Sequence, residues 1–386
     1  MQLCNVYTVD GNGPIDMAVR GPQIIATPPA EKAGMRLHFT DALAFPGLIN
    51  SHDHLDFNLF PQLGNRVYDN YQQWGQDIHT NNKAAIDAVQ RIPQALRAQW
   101  GVYKNLLNGV TTVVNHGEPL KLPQHLPIHV FQDCYSLHSV GFEKGWRKQL
   151  RRPFRGRKPF VIHTGEGTDA PSQQEIDALI AANRFKRKLI GVHGVAMTAA
   201  QAAYFKALVW CPASNIFLLG QTAAVDKLVA HTELLFGTDS TLTAPWDIWQ
   251  QLRLARQQQL LTDRALFDAV TAKAAAVWGL PNTGQLQPGF AADLVVARAK
   301  GQTGMDAFFA IEPQDILLVM HQGRISLFDE SLVGQLNNQH ISIEGYGKIY
   351  IGDSIKYVQG PVKELMDAIQ SYHATASFFS ATFDAV

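Results

Sequence analysis

The chain has 386 residues, 46% of them hydrophobic, with 33 lysines and arginines balanced by 33 aspartates and glutamates. That size and apolar content suit one large core with an accessory unit, and the zero net charge removes any electrostatic push toward nucleic acid or an anionic membrane. Cys4, Cys134 and Cys211 are too scattered for a disulfide framework, no apolar stretch approaches the roughly 20 residues of a membrane span, and the N-terminus lacks the basic-then-apolar order of a signal peptide, so a cytoplasmic enzyme with a small-molecule substrate is expected, without nucleic-acid or membrane partners and with a homo-oligomer left open.

Residues 1–46 contain short β-like pieces at 3–9, 16–19 and 23–26, broken by glycine and proline. The apolar run at 45–49 then reads as a buried strand delivering Asn50-Ser51-His52-Asp53-His54. Side chains two apart on a strand point the same way, so His52 and His54 can chelate one cation. Histidines at this spacing also occur by chance, and further ligands are needed to decide. The following segment, 56–79, carries Phe57, Phe60, Tyr68, Tyr71 and Trp74. Such rings either stack on a planar substrate or pack the loop against the core.

Ile92, Leu96, Trp100, Tyr103 and Leu107 recur at helical spacing before Gly109, where a helix stop and strand start are expected. Strands are predicted near 47–52, 110–115, 128–133, 160–163, 189–193, 207–211 and 234–238, which makes seven, with 136–142 a weak eighth. Three of them end on a polar side chain suited to chemistry: His163 followed by Thr164-Gly165-Glu166, then His193, then Asp239. Buried apolar strands alternating with helix-length segments describe a parallel α/β arrangement. Functional side chains at the C-terminal strand ends are the mark of a (β/α) barrel. The basic run Arg147-Lys148, Arg151-Arg152, Arg155, Arg157-Lys158 reads as a solvated face. Residues 283–330 return to β-like pieces at 293–297 and 316–326. Beyond 332 come the alternating segments 341–344 and 348–351 and a helix-like stretch at 361–372 opened by proline.

Six motifs resemble the amidohydrolase superfamily, in the branch of the cytosine and guanine deaminases and the triazine hydrolases. They are Pro46-Gly47-Leu48-Ile49-Asn50-Ser51-His52-Asp53-His54-Leu55, Gly109-Val110-Thr111-Thr112-Val113-Val114-Asn115-His116, His163-Thr164-Gly165-Glu166, Val192-His193-Gly194, Cys211-Pro212-Ala213-Ser214-Asn215 and Gly237-Thr238-Asp239-Ser240. A seventh, residues 283–296, is similar to the family's return to its small domain. The resemblance implies a (β/α)8-type TIM barrel at 47–282, whose regularity the short chain leaves open. It also implies a small β-sandwich built from 1–46 plus 283–330. Residues 331–386 form an extension outside the resemblance, placed either on the sandwich or at a dimer contact.

The same resemblance implies one divalent metal ion, zinc favoured over iron, on His52, His54, His163 and Asp239. Such an ion lowers the pKa of bound water toward about 7 and supplies hydroxide. Asp239 would accept the water's proton, His193 would orient the water, and Glu166, matching the family's His-x-x-Glu motif, would carry protons to the ring nitrogen and the departing amine. A bridging lysine is missing from Gln132-Asp133-Cys134, which disfavours a two-metal site. His116 is read as packing, supporting a ligand or touching substrate, and Ser214 and Asn215 as loop-shaping residues. The function expected is hydrolytic deamination of an amino-substituted nitrogen heterocycle. The alternatives are cyclic-amide hydrolysis or triazine dechlorination on the same site, or a non-catalytic relative.

Overall fold

In the computed structural model, which describes residues 1–27, 34–152 and 158–379, eight parallel strands build a TIM barrel. They are β1 (Leu48–Asp53), β2 (Val110–Asn115), β3 (His129–Phe131), β4 (Tyr135–Ser139), β5 (Phe160–Thr164), β6 (Leu189–His193), β7 (Ala207–Trp210) and β8 (Glu233–Phe236). Ladders join β1 to β3 in one group and β4 to β8 in another, each in chain order. Every residue of β1, β2, β5, β6 and β7 is buried. That is why these strands read as unbroken apolar runs rather than as alternation.

The expected seven strands are therefore corrected to eight. β4, overlapping the weak candidate at 136–142, is Tyr-Ser-Leu-His-Ser with only Leu137 and Ser139 buried. It lacks the apolar signature because polar residues occupy most of its length, and its pairing with β5 holds it in place. Gly109 takes φ +77 between helix Gln94–Leu107 and β2, the conformation that lets the chain leave a helix and enter a strand at once.

The last and first strands meet through side chains and loop backbone rather than through a ladder. Asp239 N–H donates to the His52 carbonyl at 3.0 Å and Thr238 N–H to Asn50 Oδ1 at 3.0 Å. Gly237 makes the approach possible, since a Cβ there would lie 2.6 Å from His52 Cβ and 2.8 Å from Val209.

Both chain ends share a second sheet. Its order runs Tyr346–Ile351, Ser354–Gln359, Arg324–Asp329, Ile316–His321, Leu294–Arg298, Ala42–Pro46, Gln2–Thr8, Ile15–Arg20 and Gln23–Ile25, with Arg36–His38 also beside Gln2–Thr8. The two ends meet where Val295 registers against Phe45. The sheet has its own buried cluster, which includes Leu3, Leu37, Leu294, Leu318 and Phe328. Two strands of the C-terminal extension thus enlarge this sheet. The extension's helix Val362–Tyr372 packs on Gln94–Leu107, and Phe378 sets its ring edge-on to Trp100 at 4.7 Å. In the basic run, Arg155 and Arg157 lie outside the described residues, and the remaining members are exposed. Among the described residues no helix is long and apolar enough to cross a membrane.

Candidate metal centre and its cavity

The C-terminal ends of β1, β2, β4, β5 and β6 and the turn after β8 place His52, His54, His116, His138, His163, His193 and Asp239 around one point. His52 Nε2 and His163 Nε2 are 3.2 Å apart, and Asp239 Oδ1 lies 3.8 Å from both His52 Nε2 and His54 Nε2. Ligand atoms about 2.0–2.1 Å from a tetrahedral zinc are separated by roughly 3.3 Å, so these spacings fit a shared divalent cation. Two groups of ligand atoms lie within 4.8 Å of one another, His52 with His54 and Asp239, and His52 with His163 and His193.

The electrostatics suit cation binding as well. Burial, reinforced by crowding among the imidazoles, holds His52, His116 and His163 well below the ordinary histidine range and brings His138 down to about 4. They are neutral at pH 7 and keep a lone pair for a metal. For Asp239, burial pushes upward, but His54, His193 and hydrogen bonds from Ser214 and the Ser240 N–H bring it below the usual carboxylate value.

A surrounding set of hydrogen bonds fixes these groups. Ser214 Oγ donates to Asp239 Oδ2 at 2.8 Å and Thr243 Oγ1 lies 3.0 Å from the same oxygen, leaving Oδ1 toward the histidines. His193 Nδ1 is 2.9 Å from Asn215 Oδ1, and Asn215 Nδ2 is 3.2 Å from Thr222 Oγ1. The amide oxygen therefore accepts from Nδ1–H, and His193 Nε2 carries its lone pair into the site. The expectation that Ser214 and Asn215 shape a loop is corrected here. They lie in helix Pro212–Leu219 and bond to site side chains, because that helix starts where β7 ends on the site's face.

Behind β1, Asp53 accepts from Lys104 Nζ at 3.1 Å, Asn105 Nδ2 at 2.7 Å and Asn58 Nδ2 at 2.8 Å, all within the core. Lys104 also reaches Thr238 Oγ1 at 3.2 Å. This cation ties β1 to the turn that carries Asp239. Its sequence signal was a lysine at position 104 on the stripe marked by Trp100 and Leu107, a core-facing place for a charge. His193 and Asp239 also adopt left-handed backbone, φ +71 and +56, which is uncommon outside glycine and is tolerated where surrounding contacts over-determine it.

Glu166 Oε1 stands 3.6 Å from His193 Nε2. Burial, then the nearby Asp239 and Glu175 carboxylates, push its pKa well above the usual range, so it holds a proton readily. Glu175 accepts from the Gly165 N–H at 2.8 Å and from the Tyr71 hydroxyl at 3.2 Å, linking the turn before Glu166 to helix Tyr71–Asn81. Asn70 caps that helix by accepting from Gln73 N–H, and Tyr71 N–H donates to the Glu166 carbonyl. The helix lies over a cavity of about 570 Å³ that opens on His54, His138, His163, Glu166, His193 and Asp239. Of the loop aromatics, Phe57, Tyr71 and Trp74 line this cavity, whereas Phe60 and Tyr68 do not and are buried. His116 is buried against His163, rings stacked at 4.4 Å, and neither ring nitrogen has a hydrogen-bond partner.

A family model described as the amidohydrolase family matches residues 158–326. A zinc-bound adenosine deaminase from Xanthomonas campestris aligns over 96% of this chain and 98% of its own, at 16% identity and a TM-score of 0.66. Atrazine chlorohydrolase from Arthrobacter aurescens, complexed with zinc, aligns over 96% and 99% at 15% identity and 0.65. Guanine deaminase from C. acetobutylicum, with guanine in its active site, aligns over 84% and 98% at 14% identity and 0.63. No curated protein sequence matches the chain. The resemblance to the amidohydrolase superfamily is borne out, and the fold is the TIM barrel shared by its deaminases and triazine hydrolases.

Proposed function

We propose that the protein is a metal-dependent hydrolase that removes ammonia from an amino-substituted nitrogen heterocycle. What supports this most is one arrangement: two overlapping ligand groups that share the buried His52, with His54, His163, Asp239 and a proton-holding Glu166 all lining the same cavity. His52, His54, His163 and Asp239 would hold the ion. A divalent cation bound there supplies Lewis acidity and lowers the pKa of water to near neutrality.

The chain's own groups then divide the proton work. Asp239, with Oδ2 anchored by Ser214 and Thr243, turns Oδ1, which also accepts from the Ser240 N–H at 2.8 Å, toward the histidines, where it would take a proton from the attacking water. His193, its Nδ1–H committed to Asn215, presents a lone pair that orients that water. Glu166 delivers its proton to the ring nitrogen during attack, takes up the remaining proton of the added hydroxyl as that oxygen becomes the ring carbonyl, and passes it to the amine as the carbon–nitrogen bond breaks. Water adds to the ring carbon, ammonia leaves, and the ring keeps the oxygen.

The atrazine chlorohydrolase likeness motivates one rival, displacement of chloride on the same residues. The test is metal content by plasma mass spectrometry followed by a product screen on purines, pyrimidines, pterins and triazines. About one equivalent of zinc or iron per chain with ammonia release supports deamination. Chloride release alone would replace it with dechlorination, and no metal after reconstitution would remove the hydrolase reading.

A further inference from the structure

The cavity's walls differ in character from its floor. Phe57, Trp74, Ile78, Phe142 and Leu242 line it around the polar cluster, and no lysine or arginine is among the described lining residues. The polar atoms of the two large aromatic walls that carry one, Trp74 and Tyr71, are already committed. Trp74 Nε1 donates to the Leu63 carbonyl at 2.7 Å, and the Tyr71 hydroxyl is held between Glu175 Oε2 and the Gly141 N–H. Phe57 stacks on His54 with ring centroids 5.3 Å apart and planes 17° from parallel, so it too presents a face. Tyr71, Trp74, Gly75 and Ile78 fall on one side of helix Tyr71–Asn81 at spacings of three and four, and Gly75 brings the Phe142 ring close to the backbone. Only Gln76 and His79, which are exposed, bring further polar side chains from this helix to the cavity.

From this geometry we infer that the cavity selects a neutral, flat heterocycle bearing a hydrocarbon substituent, and rejects both anionic rings and small rings rich in hydrogen-bonding groups. The inference rests on the hydrolase reading for the floor of the site, and concerns what the walls admit. An anionic substituent placed among Phe57, Trp74, Ile78 and Leu242 would lose its hydration without gaining a cationic partner. A carbonyl or amino substituent there would find its candidate partners on Trp74 and Tyr71 already bonded. An aryl or alkyl group gains contact with every wall. The volume, about 570 Å³, lies in the roughly 300–1,000 Å³ range of sites for drug-sized ligands, so a bare six-membered ring leaves much of it unfilled.

Three probes sharing one ring test this: 6-phenyl-1,3,5-triazine-2,4-diamine, the parent 1,3,5-triazine-2,4-diamine, and the 6-carboxylate. Binding to the zinc-reconstituted full chain is read by calorimetry, with ammonia followed separately. The phenyl compound should bind at least about tenfold more tightly than the parent, the scale of discrimination that an apolar pocket gives, and the carboxylate should bind least. Trp74→Ala should cut the phenyl advantage to below about threefold while Trp74→Phe retains most of it, which separates loss of the ring face from loss of the fold. Equal affinity for the parent, or preference for the carboxylate, overturns the inference. Phenyl-selective binding without ammonia release supports the cavity assignment and removes the deaminase reading, and ammonia release without selectivity does the reverse.

Discussion

Two cavities of nearly equal size lie at different places in this molecule, and they differ in how their polar groups are arranged. The first, about 570 Å³, sits at the C-terminal strand ends over the histidine cluster. The second, about 600 Å³, lies against Ala44, Phe45 and Pro46 and is lined by Thr8, Asp10, Arg264, Asp268 and Lys273. In the second, the charges neutralise one another in water: Arg264 Nη1 pairs with Asp10 at 2.7 Å and its Nε with Asp268 at 3.0 Å, and Arg264 and Asp10 are more than half exposed. In the first, His163, Glu166, His193 and Asp239 are buried, pushed away from their ordinary pKa values and aimed at a common point. Volume does not separate the two. Convergence of desolvated polar groups does.

That contrast can be broken most directly at Glu166. Glu166→Gln should keep the metal, counted by plasma mass spectrometry, yet lower turnover by about 10²–10⁴-fold, the usual scale of a proton-transfer group. Full activity in this variant would end its assignment as proton carrier. Next in size is the support beneath the site. Lys104→Met leaves Asp53 as an unpaired buried charge and should cost about 3–5 kcal/mol of stability in urea unfolding. It should also weaken metal retention, because Lys104 joins β1 to the turn holding Asp239.

Glu175 sharpens the comparison through pH. Burial raises its carboxyl from 4.5 to about 7, so between those values the folded chain holds a proton that the unfolded chain has released. Its contribution to stability is therefore present below about pH 4.5 and lost as pH rises through 7, by at most about 3 kcal/mol. Urea unfolding from pH 5 to 8 should show this decline, and Glu175→Gln should flatten it.

Smaller still is Ser214→Ala, which removes one of the two hydroxyls that hold Asp239 Oδ2 and should weaken metal affinity by about 10–100-fold, measured by competition with a chelator, with little change in melting temperature. At the other cavity, Arg264→Ala should alter stability by no more than about 0.5 kcal/mol and leave metal content unchanged. An effect there as large as that of Ser214→Ala would erase the distinction between the two cavities.

Much of this arrangement is legible in the sequence. Ile49 to His54, Val161 to His163 and Ile190 to His193 announce themselves because a strand buried on both faces leaves an unbroken apolar run that stops where the polar group begins. β4 was nearly invisible, since Tyr135-Ser136-Leu137-His138-Ser139 carries one strongly apolar residue and depends on β5 for its order. The cavity walls were half legible: five aromatics were in view in segment 56–79, and only packing sorted Phe57, Tyr71 and Trp74 from Phe60 and Tyr68.

By itself, then, the sequence determined the barrel, the strand-end positions of His52, His54, His163, His193 and Asp239, and the spacing of Glu166 from His163, because these are local patterns of burial and period. Tertiary structure alone decided that Lys104 reaches Asp53 across 51 residues and Ser214 reaches Asp239 across 25, and that His193 and Asp239 turn left-handed. It likewise decided that the C-terminal strands complete the sheet begun by the first residues. Those outcomes depend on which distant groups must share a buried volume, and no local period in a chain encodes that.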